Sequence, residues 1–356
     1  MALLAELTHR CPLRCVYCSN PLDLLRASAE LDTNTWLSVI DQAASLGILQ
    51  IHFSGGEPMA RRDLPQLVQR AAQVGLYSNL ITSGIQLTDA TLSVLVDAGL
   101  DHVQLSFQDS EEAGAEHIGG LRGAQARKLD AARIIRNHGL PLTLNFVIHR
   151  QNIARLPDMI AMSEQLGAGR MEVAHTQYYG WGLLNRDALL PSLEQLDWST
   201  SVVEDARARL QGSMVIDYVI PDYHASRPKA CMGGWARRFM VIAPDGSALP
   251  CHAAQTIPNM AFASVRSQTL ADIWLHDPAF TRFRGTGWMP LPCQTCDQRE
   301  IDWGGCRCQA LALLGDVTAT DPVCNRSDQH DVVLAAIHAA RADAAMTYRG
   351  APTETP

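Results

Sequence analysis

Over its first 210 residues the chain alternates β-rich and helical stretches six times, and that rhythm leaves few folds open. The β-rich runs fall at residues 3–8, 48–53, 77–82, 102–107, 142–149 and 171–175. Helical stretches follow at 32–46, 63–74, 89–98, 124–138, 153–166 and 192–210. Gly47, Gly75, Gly99, Gly139 and Gly167 each stand just past a helix, where a left-handed stop is expected. Repeated β-then-α units predict a parallel sheet with right-handed crossovers. Six units are too few for a closed eight-unit barrel, so an open, partial (β/α)6 TIM-like barrel is expected over residues 1–212. A doubly wound sheet would share the pattern. After residue 212 the character changes. Residues 240–242, the turn Pro244-Asp245-Gly246 and residues 248–250 read as a hairpin. Cysteine, glycine and proline are then dense as far as Cys324. That composition predicts a small region at 213–330 held by metal rather than by a large core, then a short Ala-rich helix at 331–348 and a tail.

The cysteines carry the chemistry. Three of the ten stand at the front (Cys11, Cys15, Cys18) and seven at the back (Cys231, Cys251, Cys293, Cys296, Cys306, Cys308, Cys324), with none between Cys18 and Cys231. Disulfide-rich secreted chains are short and leave no such gap. Clustered cysteines in a reducing compartment bind metal or react. The composition agrees with that compartment. The formal charge of −8 shows no basic stripe for nucleic acid. No apolar run reaches the ~18 residues of a membrane span. The start lacks a secretory layout. A cytoplasmic protein with neither a nucleic-acid nor a membrane partner is expected.

The front segment reads Cys11-x3-Cys15-x2-Cys18 on the loop after the first strand, the catalytic end of barrel-like folds. At ten cysteines in 356 residues, this spacing arises by chance roughly 0.008 times per chain. Three thiolates can hold three irons of a [4Fe–4S] cube and leave the fourth open to substrate. A structural zinc site completed by His9 is the plain alternative. Downstream, Ser54-Gly55-Gly56-Glu57-Pro58 ends the second β-rich run, Thr82-Ser83-Gly84 the third and Ser106-Phe107-Gln108 the fourth, and Asn145 lies on the fifth.

Together these motifs resemble the radical S-adenosylmethionine (SAM) enzymes. Tyr17 before the last cysteine and the Gly-Gly-Glu-Pro segment at 55–58 carry the resemblance. It implies that Cys11, Cys15 and Cys18 hold a [4Fe–4S] cluster with an open iron. It also implies that Tyr17, Ser54, Gly55, Gly56, Glu57, Ser83, Ser106, Gln108 and Asn145 surround SAM, with Glu57 taking its amino group. The rear cysteines resemble the SPASM extension, which carries two auxiliary iron–sulfur clusters, [4Fe–4S] or [2Fe–2S]. That pattern has a cysteine where this chain has Asp302, and it lacks Cys308. Seven cysteines cannot fill two four-ligand sites, whereas seven plus Asp302 can. The family's crossing pattern implies Cys231, Cys251, Cys306 and Cys308 for the nearer cluster, and Cys293, Cys296, Asp302 and Cys324 for the farther one.

The Asp302 variant, Arg61-Arg62-Asp63-Leu64 and residues 178–186 resemble one branch of these enzymes, the PqqA peptide cyclases of pyrroloquinoline quinone biosynthesis. That branch implies a radical that takes hydrogen from a Glu side-chain carbon of the precursor peptide PqqA and a new bond to a Tyr ring carbon. It also implies a peptide chaperone, PqqD, and a flavodoxin-type electron donor. His175, Gln177 and Tyr178, just past the sixth β-rich run, are the candidates to face the peptide. A histidine near its ordinary pKa could take a proton there. The chain begins ten residues before Cys11, short for such enzymes. Another SPASM peptide modifier, thioether-forming or sulfatase-maturing, and a non-catalytic zinc scaffold are the competing readings.

Overall fold

The computed structural model describes residues 1–230 and 233–351. Among these residues one sheet runs in the order β7-β6-β5-β4-β3-β2-β1-β8-β9. Its strands are β1 (Ala2–Glu6), β2 (Gln50–Ser54), β3 (Tyr77–Thr82), β4 (His102–Phe107), β5 (Leu142–Ile148), β6 (Arg170–His175), β7 (Val215–Val219), β8 (Phe239–Ile242) and β9 (Ala248–Leu249). Every pairing from β7 across to β8 is parallel, and only β8–β9 is antiparallel. The six expected units are present. Helices α1 (Thr33–Ser45), α2 (Leu64–Gln73), α3 (Asp89–Asp97), α4 (Glu112–Gly119), α5 (Ala124–Asn137) and α6 (Leu156–Gln165) fill the crossovers between the first six strands. Two short turns, α7 (Trp181–Leu184) and α8 (Arg186–Leu189), precede α9 (Leu193–Arg209). Capping explains the starts. Asp32 accepts from the Thr35 N–H, and Thr88 and Ser192 each close a reciprocal capping box. All five glycines expected as helix stops have positive φ.

The structure extends the expected barrel on both flanks. A seventh parallel strand, β7, pairs with β6, and β8 pairs in parallel with β1. Both lie past residue 212, so the hairpin read from the sequence joins the barrel sheet through its strand β8. The helix expected at 331–348 ends early. Following α10 (Leu270–His276), α11 (Pro278–Thr281) and α12 (Arg307–Leu314), the last helix is α13 (Asp331–Ala339). Ala340 is extended, and the chain continues as a strap to residue 351.

Strand alternation places the core and the site on opposite faces. In β4, Val103, Leu105 and Phe107 are fully buried, as are Leu144, Phe146 and Ile148 in β5 and Met171 and Val173 in β6. The intervening residues include Gln104, Ser106, Asn145 and Glu172, a polar set on the inner face. Period-two alternation sends successive side chains to opposite faces. The apolar set packs in the main core, and the polar set is left to line a cavity.

Candidate active site

Residues from the ends of β2 to β6 line a cavity of about 400 Å³, together with the loop carrying Cys11, Cys15 and Cys18. That loop is held in place by its neighbours. The Gly56 N–H donates to Thr8 O at 2.6 Å and the Glu57 N–H to Arg10 O at 2.7 Å. A Cβ on Gly55 would stand 2.5 Å from Thr8 O, and one on Gly56 would press on Arg10 O. The two glycines therefore serve the close approach of two backbones. On the other side the Trp181 N–H donates to Cys18 O at 3.1 Å, and Asn185 Nδ2 donates to Val16 O at 2.6 Å. Residues 178–186 are thus a second clamp on the loop.

The candidates divide as follows. Tyr17, Ser54, Gly55, Gly56, Ser83, Ser106, Gln108, Asn145, His175 and Gln177 line the cavity with the three cysteines. Glu57 does not. It is fully buried, and its carboxylate accepts from Thr82 Oγ1 at 2.7 Å, from the Ser83 N–H at 2.9 Å, from the Met59 N–H at 3.2 Å and from Ser83 Oγ. Its oxygens are occupied in joining the end of β2 to the end of β3, so the geometry makes it a positioning residue. Tyr178 also turns away, packing edge-on against Tyr223 in a separate apolar cluster. Its neighbour Tyr179 faces the cavity instead and hydrogen-bonds His252. His175 does not keep its ordinary pKa. Burial, then the charge of Lys229, pushes it down to about 3, so it stands as a neutral imidazole with Nε2 at 3.3 Å from the Tyr218 hydroxyl.

Burial raises the thiol of Cys11 to about 11 and that of Cys15 to about 12, and raises Cys18 as well. Thiols so placed stay protonated until a metal compensates the charge, and binding then releases protons. On the same cavity wall the buried Arg349 Nε has no hydrogen-bond partner among the described residues. An unpartnered donor and soft sulfur ligands on one wall suit an iron–sulfur group. Among the described residues, no three or more His, Cys, Asp and Glu side chains gather as for a single metal ion. The case for a multi-iron group rests on the loop and its cavity.

Residues 5–162 match the radical SAM superfamily, and residues 231–297 match an iron–sulfur cluster-binding domain, SPASM. A protein of Granulibacter bethesdensis named PqqA peptide cyclase is 62% identical over 348 residues, covering 98% of this chain and 93% of that protein. One of the same name from Gluconobacter oxydans is 63% identical over 337 residues, covering 95% and 94%. This chain belongs to the PqqA peptide cyclase family. It is a radical SAM enzyme with a SPASM region. Among solved structures, Streptococcus suis SuiB bound to S-adenosylmethionine shares the fold, with a TM-score of 0.76 at 19% identity, covering 91% of this chain and 76% of that one. AnSMEcpe with bound AdoMet does so with a TM-score of 0.67 at 13% identity, covering 95% and 97%.

The rear of this family member brings its cysteines into two groups. Cys308, at the start of α12, hydrogen-bonds both Cys251 and Cys306, which together with burial pushes its thiol well up. The expected fourth member, Cys231, lies outside the described residues. In the second group, Arg227 Nη1 stands 3.6 Å from Cys296 Sγ and 3.7 Å from Cys324 Sγ, and Cys293 feels the charges of Cys324 and Asp302. Asp302 Oδ1 accepts from the Gly304 N–H at 2.9 Å.

Several residues escape a linear reading. Gln104 donates to Glu172 at 2.9 Å across the cavity floor. Their signal was polarity recurring at every second position of an otherwise apolar strand. Asp321, fully buried, accepts from the Cys306 N–H at 2.7 Å, from the Val323 N–H at 3.0 Å and from Gln309, and so holds the rear loop. Arg349 arrives from the far end of the chain, and nothing local marks it.

Proposed function

We propose that this enzyme joins a Glu side-chain carbon to a Tyr ring carbon within the precursor peptide PqqA. The observation that carries the reading is the three-thiol loop opening onto a cavity lined by the ends of β2 to β6. The relatives' name, PqqA peptide cyclase, supports the substrate. Cys11, Cys15 and Cys18 would hold a [4Fe–4S] cluster. With SAM at the iron that no side chain ligates, that cluster supplies one-electron chemistry generating a hydrogen-abstracting radical.

The chain's part is binding, orientation and exclusion of water. Ser54, Gly55, Gly56 and Ser83 would face SAM near the loop, and Ser106, Gln108 and Asn145 would face it from β4 and β5. Gln108 is held by Tyr17, to whose hydroxyl its Nε2 donates at 3.0 Å, and by the buried Lys128. Gln177, Tyr179 and neutral His175 stand on the wall nearer the rear cysteines and would meet the peptide. The new C–C bond replaces two C–H bonds. One hydrogen leaves as an atom to the radical. The other would leave as a proton, with one electron that iron–sulfur groups held by the rear cysteines would accept. Cys231, Cys251, Cys306 and Cys308 would hold the nearer of these, and Cys293, Cys296, Asp302 and Cys324 the farther. The division into a barrel, a SPASM region from about residue 213 to 330 and a C-terminal segment goes with this reading, as do PqqD, a flavodoxin-type donor and the cytoplasm.

The test is anaerobic reconstitution with iron and sulfide, then incubation with SAM, reductant and the peptide. The expected product is a peptide lighter by two hydrogens, with cluster content falling by one cluster in Cys11/Cys15/Cys18→Ala. Zinc in place of iron and sulfide, or a peptide of unchanged mass, would overturn the proposal.

A further inference from the structure

The strap after α13 returns to the opposite end of the chain. Asn185 and Thr347 bond reciprocally, Asn185 Nδ2 donating to Thr347 O and the Thr347 N–H to Asn185 Oδ1, each at 2.7 Å. The same Asn185 Nδ2 holds Val16 of the cysteine loop. Arg14 and Arg349 are also reciprocal. The Arg349 N–H donates to Arg14 O, and Arg14 Nε donates to Arg349 O at 3.2 Å. The Tyr348 hydroxyl donates to His117 O at 2.7 Å. These bonds deliver the Arg349 side chain into the wall of the cavity beside the three front cysteines. It is only 6% exposed, its Nη2 donates to His9 O, and its buried Nε has no partner among the described residues. Among the described residues that line the cavity, it is the sole lysine or arginine. Its positive charge also acts on the Cys18 thiol, drawing it down against the larger upward push of burial.

We propose that Arg349 is a positioning residue that sets the charge at the front thiolates and thereby raises the potential of the cluster they hold. This rests on the iron–sulfur reading of the loop given above. Three thiolates and a reducible cluster concentrate negative charge, and reduction adds one more. A fixed cation in a buried wall stabilises the reduced form more than the oxidised form. A guanidinium suits the place because it keeps its charge when buried and presents several donors in a rigid fork. The same fork bonds His9 O, so it also fixes the loop backbone two residues before Cys11.

The test uses the full chain reconstituted anaerobically, as wild type, Arg349→Gln and Arg349→Lys. The front signal is identified by its absence in Cys11/Cys15/Cys18→Ala, and it is followed by EPR during a reductive titration without SAM. Iron and sulfide contents are measured on each sample. At the wild-type midpoint, the reduced-to-oxidised ratio in Arg349→Gln is expected to fall about tenfold, 59 mV for a one-electron couple. Arg349→Lys keeps the charge and is expected to restore most of the ratio. Should Arg349→Gln fail to load its cluster, Arg349→Lys decides alone, and a loaded Lys variant with a tenfold deficit overturns the proposal. An unmoved potential in a loaded Arg349→Gln also overturns it, including when SAM affinity is lost, because the arginine would then be a carboxylate contact. A wild-type chain that forms no front cluster overturns this inference and the reading beneath it together.

Discussion

The front and rear cysteine sites are built on opposite plans. The front loop is set into a finished scaffold. Backbone bonds from the ends of β2 and α7 grip it, and the apolar core behind those strands does not depend on it. The rear is made of short pieces. Its helices α10, α11 and α12 run seven, four and eight residues, and its one hairpin is borrowed by the barrel sheet. Its interior includes Cys308, Cys296 and Cys324 and the buried polar residues Asp321 and Arg307. The difference teaches that similar ligands can be guests of a fold in one place and its framework in another.

The strongest way to break that contrast is to remove ligands at each end. Cys306→Ala/Cys308→Ala is expected to cost on the order of 4 kcal/mol, the class reached when a metal site is lost. Limited proteolysis should then cut within residues 250–330. Cys11/Cys15/Cys18→Ala should leave thermal unfolding within about 1 kcal/mol of wild type. Equal losses at the two ends would erase the distinction.

Next in size is Gly56→Ala. The added methyl meets Arg10 O from a strand end that cannot yield, and about 2–3 kcal/mol of destabilisation is expected. Front-cluster content should fall while rear content is kept, as iron and sulfide analysis would show. Glu57→Gln is smaller. It replaces an acceptor of four bonds by a group that must donate from one end, for about 1–2 kcal/mol. Urea unfolding measures that cost, and a larger KM for SAM than in wild type would show the ends of β2 and β3 drifting apart.

The smallest effect sharpens how dry the front wall is. Burial, then His175 and Arg155, pushes His149 down to about 3, well below its value in an unfolded chain. The unfolded state therefore binds the proton first, and stability is lost as pH falls below about 6.5. Relative to His149→Gln, the wild type should lose about 1 kcal/mol between pH 6.5 and 5.5, read from denaturant midpoints. Parallel pH profiles for the two proteins would mean that water reaches His149.

The barrel was legible because its signals are local. β3 and β4 begin and end where the β-rich runs do, and each glycine stop reflects a conformation that only its own residue must adopt. β7 was not foreseen, because Val215–Val219 follows a composition change and is recognisable as a strand only through its partner β6. The hairpin was legible as a hairpin, but its parallel pairing with β1 joins segments over 200 residues apart. At the site, cysteine spacing survives as a pattern along the chain. The exchange of Tyr178 for Tyr179 does not, because neighbouring residues in a loop point to different sides and no strand period sets the phase. Gln104, Glu172 and Arg349 share a wall only after folding.

The clasp of Asn185 on both Val16 and Thr347 has a consequence for the order of assembly. During synthesis the cysteine loop emerges first, and the residues that complete its wall emerge more than 300 positions later. Iron and sulfide delivered in between would meet thiols without their arginine, and delivery after release would meet the closed wall. Completion of the front wall thus depends on contacts between residues more than 300 positions apart.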